Sequence, residues 1–166
     1  MLRAGRNNWY DQTKHYTRTY FLSTDQGLSF GAQQFDDALS LDPTCPGSQL
    51  TMNGTAGPSL WLSGPVADPR SPDPWRARIN MSLHHSTSDG RTWEPPVQVV
   101  HGPSGYNCLG NLGVAADGTG SGVGLLFEQS DERCEPCLPQ FAHLPTCAER
   151  GLGSESCKIS FVKWET

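Results

Sequence analysis

The chain has 166 residues, enough for one domain with a sizeable core, and its 18 glycines and 13 prolines favour short strands over helices. A net charge of −5 argues against a protein that binds the phosphate backbone of nucleic acids. No apolar run approaches the roughly 18 residues that a transmembrane helix needs.

Short segments rich in β-branched and aromatic residues predict strands along most of the chain, and no segment has a helical period of 3.6 residues. In chain order, the predicted strands are 17–23, 59–63, 77–86, 97–101, 111–117, 122–128 and 157–164. We predict irregular, turn-rich structure for 31–58 and no regular structure in the proline-rich stretch 64–74. Such a set of strands is typical of a β-sandwich, barrel or propeller.

The predicted strand 77–86 has the clearest alternation. Its apolar residues are Ile79, Met81 and Leu83. Polar residues separate them, namely Arg78, Asn80, Ser82 and His84. Because successive side chains of a strand point to opposite faces, this order predicts an apolar buried face and a polar exposed face.

One turn pattern occurs twice. The two copies are Ser23-x-Asp25-x-Gly27-x-Ser29-Phe30 and Ser86-x-Ser88-x-Gly90-x-Thr92-Trp93. In each copy a short polar side chain can bond back to its own turn, and glycine can adopt the positive φ that the turn needs. We expect the closing aromatic ring to be buried where the chain re-enters a strand. In the second copy, serine (Ser88) takes the place of Asp25.

This turn pattern resembles the Asp box of sialidases and other β-propellers with BNR repeats, where it forms a hairpin within a four-stranded blade, away from the active site. The resemblance continues around the second copy, because "RINMSLHHS" precedes it and "VVHGPSGYNCLGNL" follows it. Order and content are most similar to the C-terminal part of an exo-α-sialidase of the lysosomal type. The resemblance implies an all-β fold for residues 1–166, a partial six-bladed β-propeller of about two to three blades.

The resemblance also implies a set of site residues. Tyr106, which ends Gly-Pro-Ser-Gly-Tyr, matches the family's catalytic nucleophile. Arg78 and Arg18 match two of the three arginines that bind the carboxylate of sialic acid, and Glu128 matches a supporting carboxylate near the site. Arginine suits this task because its planar, permanently charged guanidinium binds a carboxylate through two donors. A neutral tyrosine nucleophile avoids repulsion from the substrate carboxylate, and sialidases differ in this from most glycosidases.

Taken one at a time, the same residues also fit simpler roles. Tyr106 fits a loop aromatic that covers a core edge, and Arg78 fits a solvated arginine at the start of a strand. Arg18 follows other basic residues and is identified only by its spacing from the first turn pattern. The order of the residues along the chain favours the functional assignment of Tyr106 and Arg78.

The implied function is that of an exo-α-sialidase, which hydrolyses terminal sialic acids of glycoproteins, oligosaccharides and gangliosides with retention of configuration, without a metal or cofactor. The family's first triad arginine, its general acid and the glutamate that activates the tyrosine have no match here, so we expect the chain to be incomplete as an enzyme. The alternative is a non-catalytic, sialoglycan-binding or structural propeller fragment. An open arc of blades would expose strand edges that can pair with other chains.

The six cysteines and two N-glycosylation sequons, at Asn53 and Asn80, favour an exported or lysosomal chain. The start of the sequence has no apolar stretch that resembles a secretory signal, so a lysosomal, secreted or membrane-associated location is expected for the parent protein. Cysteines at 134, 137, 147 and 157 accompany a predicted insertion, 129–156. Two disulfides fit this loop better than zinc, because a second Cys-x-x-Cys pair is missing. Of the remaining Cys45 and Cys108, the latter is expected to be a small wall residue near Tyr106.

Overall fold

The computed structural model describes residues 2–5, 17–40, 43, 45–54, 57–71, 77–114, 121–130 and 157–165. These segments contain strands and no helix, so the predicted all-β fold class is confirmed. The strands are β1 (Leu2–Gly5), β2 (Thr17–Leu22), β3 (Gln34–Ser40), β4 (Ser48–Gly54), β5 (Gly57–Ala67), β6 (Arg78–Ser86), β7 (Val97–Gln98), β8 (Ser104–Val114), β9 (Ser121–Ser130) and β10 (Cys157–Glu165).

The strands form three antiparallel sheets, each made of strands that follow one another in the sequence. The first sheet contains β1–β3, the second β4–β7 and the third β8–β10. Consecutive antiparallel meanders of up to four strands are the building units of a β-propeller. Both copies of the turn pattern occupy the same place, the hairpin between the last two strands of a sheet. This arrangement agrees with a partial propeller of about two to three blades.

The main core lies between the second and third sheets. Its buried side chains are Met52, Met81, Leu83, Leu109, Val123, Leu125 and Phe127. Burial of each of these side chains contributes roughly 1.5–3 kcal/mol. The core therefore fixes β6, β8 and β9 relative to one another, and these three strands carry the predicted site residues Arg78, Tyr106 and Glu128.

Three boundary predictions are wrong. Residues 31–58 are not irregular throughout, because β3 and β4 lie within them. The proline-rich stretch 64–74 begins inside β5, with Pro65 at a shift in the pairing between Gly64 and Val66. Proline is tolerated at such an irregularity because it lacks the N–H that a regular ladder requires. The strand predicted at 111–117 begins much earlier, at Ser104.

The first copy of the turn pattern is stabilised by hydrogen bonds to its own polar side chains. Ser23 Oγ accepts a hydrogen bond from the Gly27 N–H at 2.7 Å, and Asp25 Oδ1 accepts one from the Ser29 N–H at 2.9 Å. Gly27 has the expected positive φ of 91°, and Gln26 before it has a φ of 61°. The hydrogen bonds from Ser29 and Ser23 lower the pKa of Asp25 to about 2, because they favour its charged form.

The second turn repeats this bonding without the aspartate. Ser86 Oγ accepts from the Gly90 N–H at 2.9 Å, and Ser88 Oγ accepts from the Thr92 N–H at 2.9 Å. A hydroxyl therefore replaces the carboxylate as the acceptor. The closing Trp93 is half-buried and donates its Nε1–H to Asp36 Oδ2 of β3 at 2.8 Å, which links the second turn to the first sheet.

The expected burial of the closing aromatic is wrong for the first turn, because Phe30 is 40% exposed. The difference follows from the neighbouring sheet. Trp93 meets β3 of the preceding sheet, whereas β1–β3 is the first sheet of the described part of the chain. The side-chain hydrogen bonds therefore form the turn in both copies, whereas contact with an adjacent sheet covers the closing aromatic ring only in the second copy.

Candidate functional site

Three of the four predicted site residues lie together at one end of β6, β8 and β9. The Cζ atom of Arg78 is 5.3 Å from the centroid of the Tyr106 ring. The N–H of Tyr106 donates a hydrogen bond of 3.1 Å to Glu128 Oε2. Residues separated widely in the sequence thus form one cluster, which consists of a guanidinium, a phenol and a carboxylate.

Exposure differs sharply within this cluster. Tyr106 is 41% exposed, whereas Arg78 is only 3% exposed. A guanidinium over an aromatic face gains about 0.5–2 kcal/mol by cation–π attraction, more as the pair is desolvated. The buried position excludes the simpler explanation of Arg78 as a solvated surface arginine. The phenol of Tyr106 is therefore accessible to solvent, and the positive charge of the buried Arg78 lies over its ring.

The carboxylate of Glu128 holds the main chain at the beginning of β8. The pairing of β8 with β9 is irregular between Ser104 and Asn107, so Tyr106 falls outside the regular ladder. The hydrogen bond from the Tyr106 N–H to Glu128 supplies a partner at that irregularity. The side chain of Glu128 thus positions Tyr106 through a hydrogen bond to the Tyr106 backbone.

Arg18 lies in a different environment, against the backbone of the second sheet. It is 5% exposed, and its guanidinium approaches two glycines. A Cβ added to Gly47 would lie 2.6 Å from Arg18 Nη1, and one added to Gly64 would lie 3.0 Å from Nη2. Both glycines therefore leave the space that the guanidinium fills. We call Gly47 and Gly64 the glycine cradle.

Hydrogen bonds of the chain neighbours of the two glycines connect the glycine cradle to Asn107, which follows Tyr106. The Ser63 hydroxyl donates to Asn107 Oδ1 at 2.5 Å, and Asn107 Nδ2 donates to the carbonyl of Pro46 at 3.2 Å. Sequence reasoning missed Asn107 and Ser63, since the only signal was the position of Asn107 directly after Tyr106.

His84 is a second residue that sequence reasoning missed. It is half-buried on β6, and its ring meets the edge of Trp93 at a centroid distance of 6.2 Å. Burial, followed by the positive charge of Arg18, lowers the pKa of His84 to about 4. The imidazole is therefore neutral at neutral pH and adds no second positive charge beside Arg18.

The cysteine predictions divide between described and undescribed residues. Cys134, Cys137 and Cys147 lie outside the described residues, as does the side chain of Cys157, so the choice between disulfides and zinc stays a prediction. Cys45 and Cys108 are free thiols. Cys45 is buried and its S–H donates to the Gly105 carbonyl at 3.6 Å, while Cys108 is exposed.

In the part of the chain that the structure describes, no group of three or more His, Cys, Asp or Glu side chains is arranged to hold a metal ion. None of the described segments forms a helix with the length and apolar character needed to cross a membrane.

Comparison with known proteins adds a relative to these observations. No family model matches the chain. Human Sialidase-4 is 34% identical to it over 97 residues, an alignment that covers 51% of this chain. Among solved structures, the intramolecular trans-sialidase from Ruminococcus gnavus in complex with oseltamivir carboxylate matches 73% of this chain and 25% of that one, at 20% identity and a TM-score of 0.49. This chain spans only 19% of the length of Sialidase-4, and the similarity to that sialidase is confined to the aligned 97 residues.

Proposed function

We propose that the cluster of Arg78, Tyr106 and Glu128 belongs to the active site of an exo-α-sialidase. The observation that carries the proposal is the contact between the exposed Tyr106 ring and the buried Arg78 guanidinium. A nucleophile must be reachable by its substrate, and an anionic substrate requires a positive charge close to the reacting atom. The relation to Sialidase-4 supports a sialic acid as that substrate.

In the proposed reaction, the hydroxyl oxygen of Tyr106 forms a bond to the anomeric carbon of a terminal sialic acid. As the glycosidic bond breaks, the phenolic proton of Tyr106 passes to a base, and a general acid donates a proton to the leaving oxygen. Water then cleaves the bond to Tyr106 and releases sialic acid with its configuration retained, because two displacements occur in sequence. The phenolic proton needs an acceptor when Tyr106 attacks.

The arginines are proposed to bind the sialic-acid carboxylate. Charge-assisted hydrogen bonds of this type contribute about 1.5–3 kcal/mol each. The position of Arg78 beside Tyr106 supports this role for Arg78. Arg18 is proposed as the second arginine from its sequence position, and the polar contacts from the glycine cradle through Ser63 to Asn107 support its connection to the site.

The nucleophile assignment is tested with a fluorogenic sialoside on a full-length version of the protein and on its Tyr106→Phe variant. We expect the substitution to lower kcat by on the order of 10³-fold or more, because it removes the attacking oxygen and leaves the ring in place. Tyr20→Phe on β2 is the matched control and should retain turnover, because Tyr20 lies on another sheet. Equal turnover of wild type and Tyr106→Phe would refute the assignment.

A non-catalytic, sialoglycan-binding or structural segment is the second candidate. It is favoured by the small share of Sialidase-4 that the chain spans and by the near-complete burial of both arginines. Calorimetric titration with sialyllactose separates the two candidates. Binding without release of sialic acid would support the second candidate, whereas release of sialic acid would exclude it.

Two expectations from the sequence stay proposals. The parent protein is proposed to act in the lysosome, outside the cell or at a membrane. Pairing with other chains through an open sheet edge is proposed for the third sheet, where Ile159 and Phe161 on β10 are exposed apolar residues. Exposed apolar residues on an edge strand favour such pairing.

A further inference from the structure

We propose that Asn80 is a positioning residue that sets the contact between Arg78 and Tyr106, an inference that rests on the proposed function of this pair. Asn80 lies two residues after Arg78 within β6 and has a positive φ of 54°. A strand residue rarely adopts this left-handed conformation, and asparagine tolerates it better than most residues. The conformation therefore marks a place where β6 departs from a regular strand.

The departure is a bulge that turns the beginning of β6. Gly64 pairs with Ser82 and Val66 pairs with Ile79, so Asn80 and Met81 together oppose Pro65 alone. A bulge of this kind re-aims the side chains beyond it. The predicted alternation is wrong at Arg78, which is buried, and at Ile79, which is only half-buried, while Met81 and Leu83 are buried as expected. Ser82, on the predicted exposed face, is also buried, so the departure from simple alternation extends beyond the bulge.

Asn80 also makes two hydrogen bonds to Gly102, in the loop that leads to Tyr106. Its backbone N–H donates to the Gly102 carbonyl at 2.8 Å, and its side-chain Oδ1 accepts from the Gly102 N–H at 3.0 Å. The adjacent residues Ile79 and Pro103 form a further bridge. We call this pair of hydrogen bonds the Asn80–Gly102 clamp.

The clamp links the two partners of the cation–π contact by short stretches of chain. Arg78 precedes Asn80 by two residues and Tyr106 follows Gly102 by four. Gly102 has a positive φ of 90° and is buried, so the loop turns sharply at the clamp. Loss of the side-chain acceptor would leave a buried N–H without its partner, which favours movement of the loop away from β6.

The test separates the effect of the hydrogen bond to the Asn80 side chain from the effect of the positive φ at residue 80. Asn80→Gly keeps access to positive φ but removes the acceptor, whereas Asn80→Asp keeps an acceptor oxygen in a residue that also tolerates positive φ. All variants are made in a bacterial host that adds no N-glycan, because Asn80 belongs to a sequon. Asn111→Gly is the matched control, since Asn111 Oδ1 accepts from the Gly113 N–H at 2.7 Å elsewhere on β8.

Two measurements on the full chain need no enzymatic activity. We expect Asn80→Gly to speed hydrogen exchange at the Gly102 amide by about tenfold and to shift the ring resonance of Tyr106, assigned with Tyr106→Phe. Asn80→Asp should retain both wild-type values, and Asn111→Gly should leave the Tyr106 resonance unchanged. Sialoside turnover should fall in Asn80→Gly and recover in Asn80→Asp.

Unchanged Gly102 exchange and an unchanged Tyr106 resonance in Asn80→Gly would overturn the inference, whatever the activity. A shifted Tyr106 resonance in Asn111→Gly would also overturn it, because the effect would then be general. If both signals respond as expected but a full-length version of the protein releases no sialic acid, the proposed function fails while the positioning of Tyr106 by Asn80 stands. Circular dichroism confirms that the compared variants are folded.

Discussion

Arg18 and Arg78 are buried to nearly the same extent, yet their surroundings differ. Arg78 lies against the ring of Tyr106, which solvent reaches, whereas Arg18 fills a cradle of bare backbone at Gly47 and Gly64 beside His84. The comparison teaches that two equally buried arginines can differ in how close they lie to a solvent-accessible group. The groups that separate the guanidinium from solvent make this difference.

The largest expected effect concerns the pH response of the Arg18 region. The folded protein lowers the pKa of His84 from 6.5 to about 4, so the unfolded chain binds the proton more readily. The stabilisation that neutral His84 contributes should therefore be fully present above pH 6.5. It should be lost as the pH falls towards 4, which lowers the free energy of unfolding by on the order of 3 kcal/mol. Urea denaturation between pH 4 and 7 measures this loss.

His84→Gln should flatten this pH dependence, because the titrating group is removed. His101→Gln is the control, since His101 is exposed in the loop after β7. An unchanged slope in His84→Gln would contradict the assignment of this pH dependence to His84.

The next largest effect tests the space around Arg18. Gly47→Ala would bring a Cβ within 2.7 Å of the Ser63 carbonyl, a backbone atom that cannot rotate away. We expect a loss of about 2 kcal/mol in the free energy of unfolding, typical of overpacking. Gly110→Ala is the matched control, because no atom lies within 4 Å of its added Cβ. Equal stability of the two variants would show that the cradle is not tightly packed.

The smallest expected effect compares the arginines directly. Arg78→Lys and Arg18→Lys should each weaken the binding of sialyllactose by about tenfold, because lysine loses the bidentate geometry. Arg18→Lys should in addition lower the melting temperature, since the glycine cradle matches a planar guanidinium. Calorimetric titration and thermal denaturation measure the two quantities. Weakened binding in Arg78→Lys alone would assign Arg18 to the scaffold.

Several features were predictable because they depend on local chemistry. The two turns follow from serine, aspartate and glycine at set offsets, and the bonding through Ser88 shows that a serine hydroxyl can replace the aspartate carboxylate there. The alternation of Met81 and Leu83 predicted their burial correctly. Strand β3 was missed because its mostly exposed residues carry little apolar alternation and it is defined chiefly by backbone pairing with β2.

By itself, the sequence determined the all-β class and the two turns, because residue type and spacing act locally, while the three residues of the candidate site were implied by the resemblance to sialidases. Only the tertiary structure decided which groups surround them. The bulge at Asn80 brings Arg78 to Tyr106, and the glycine cradle receives Arg18 from another sheet. Such contacts join distant segments, and their free energy depends on packing between sheets, which no local pattern of residues encodes.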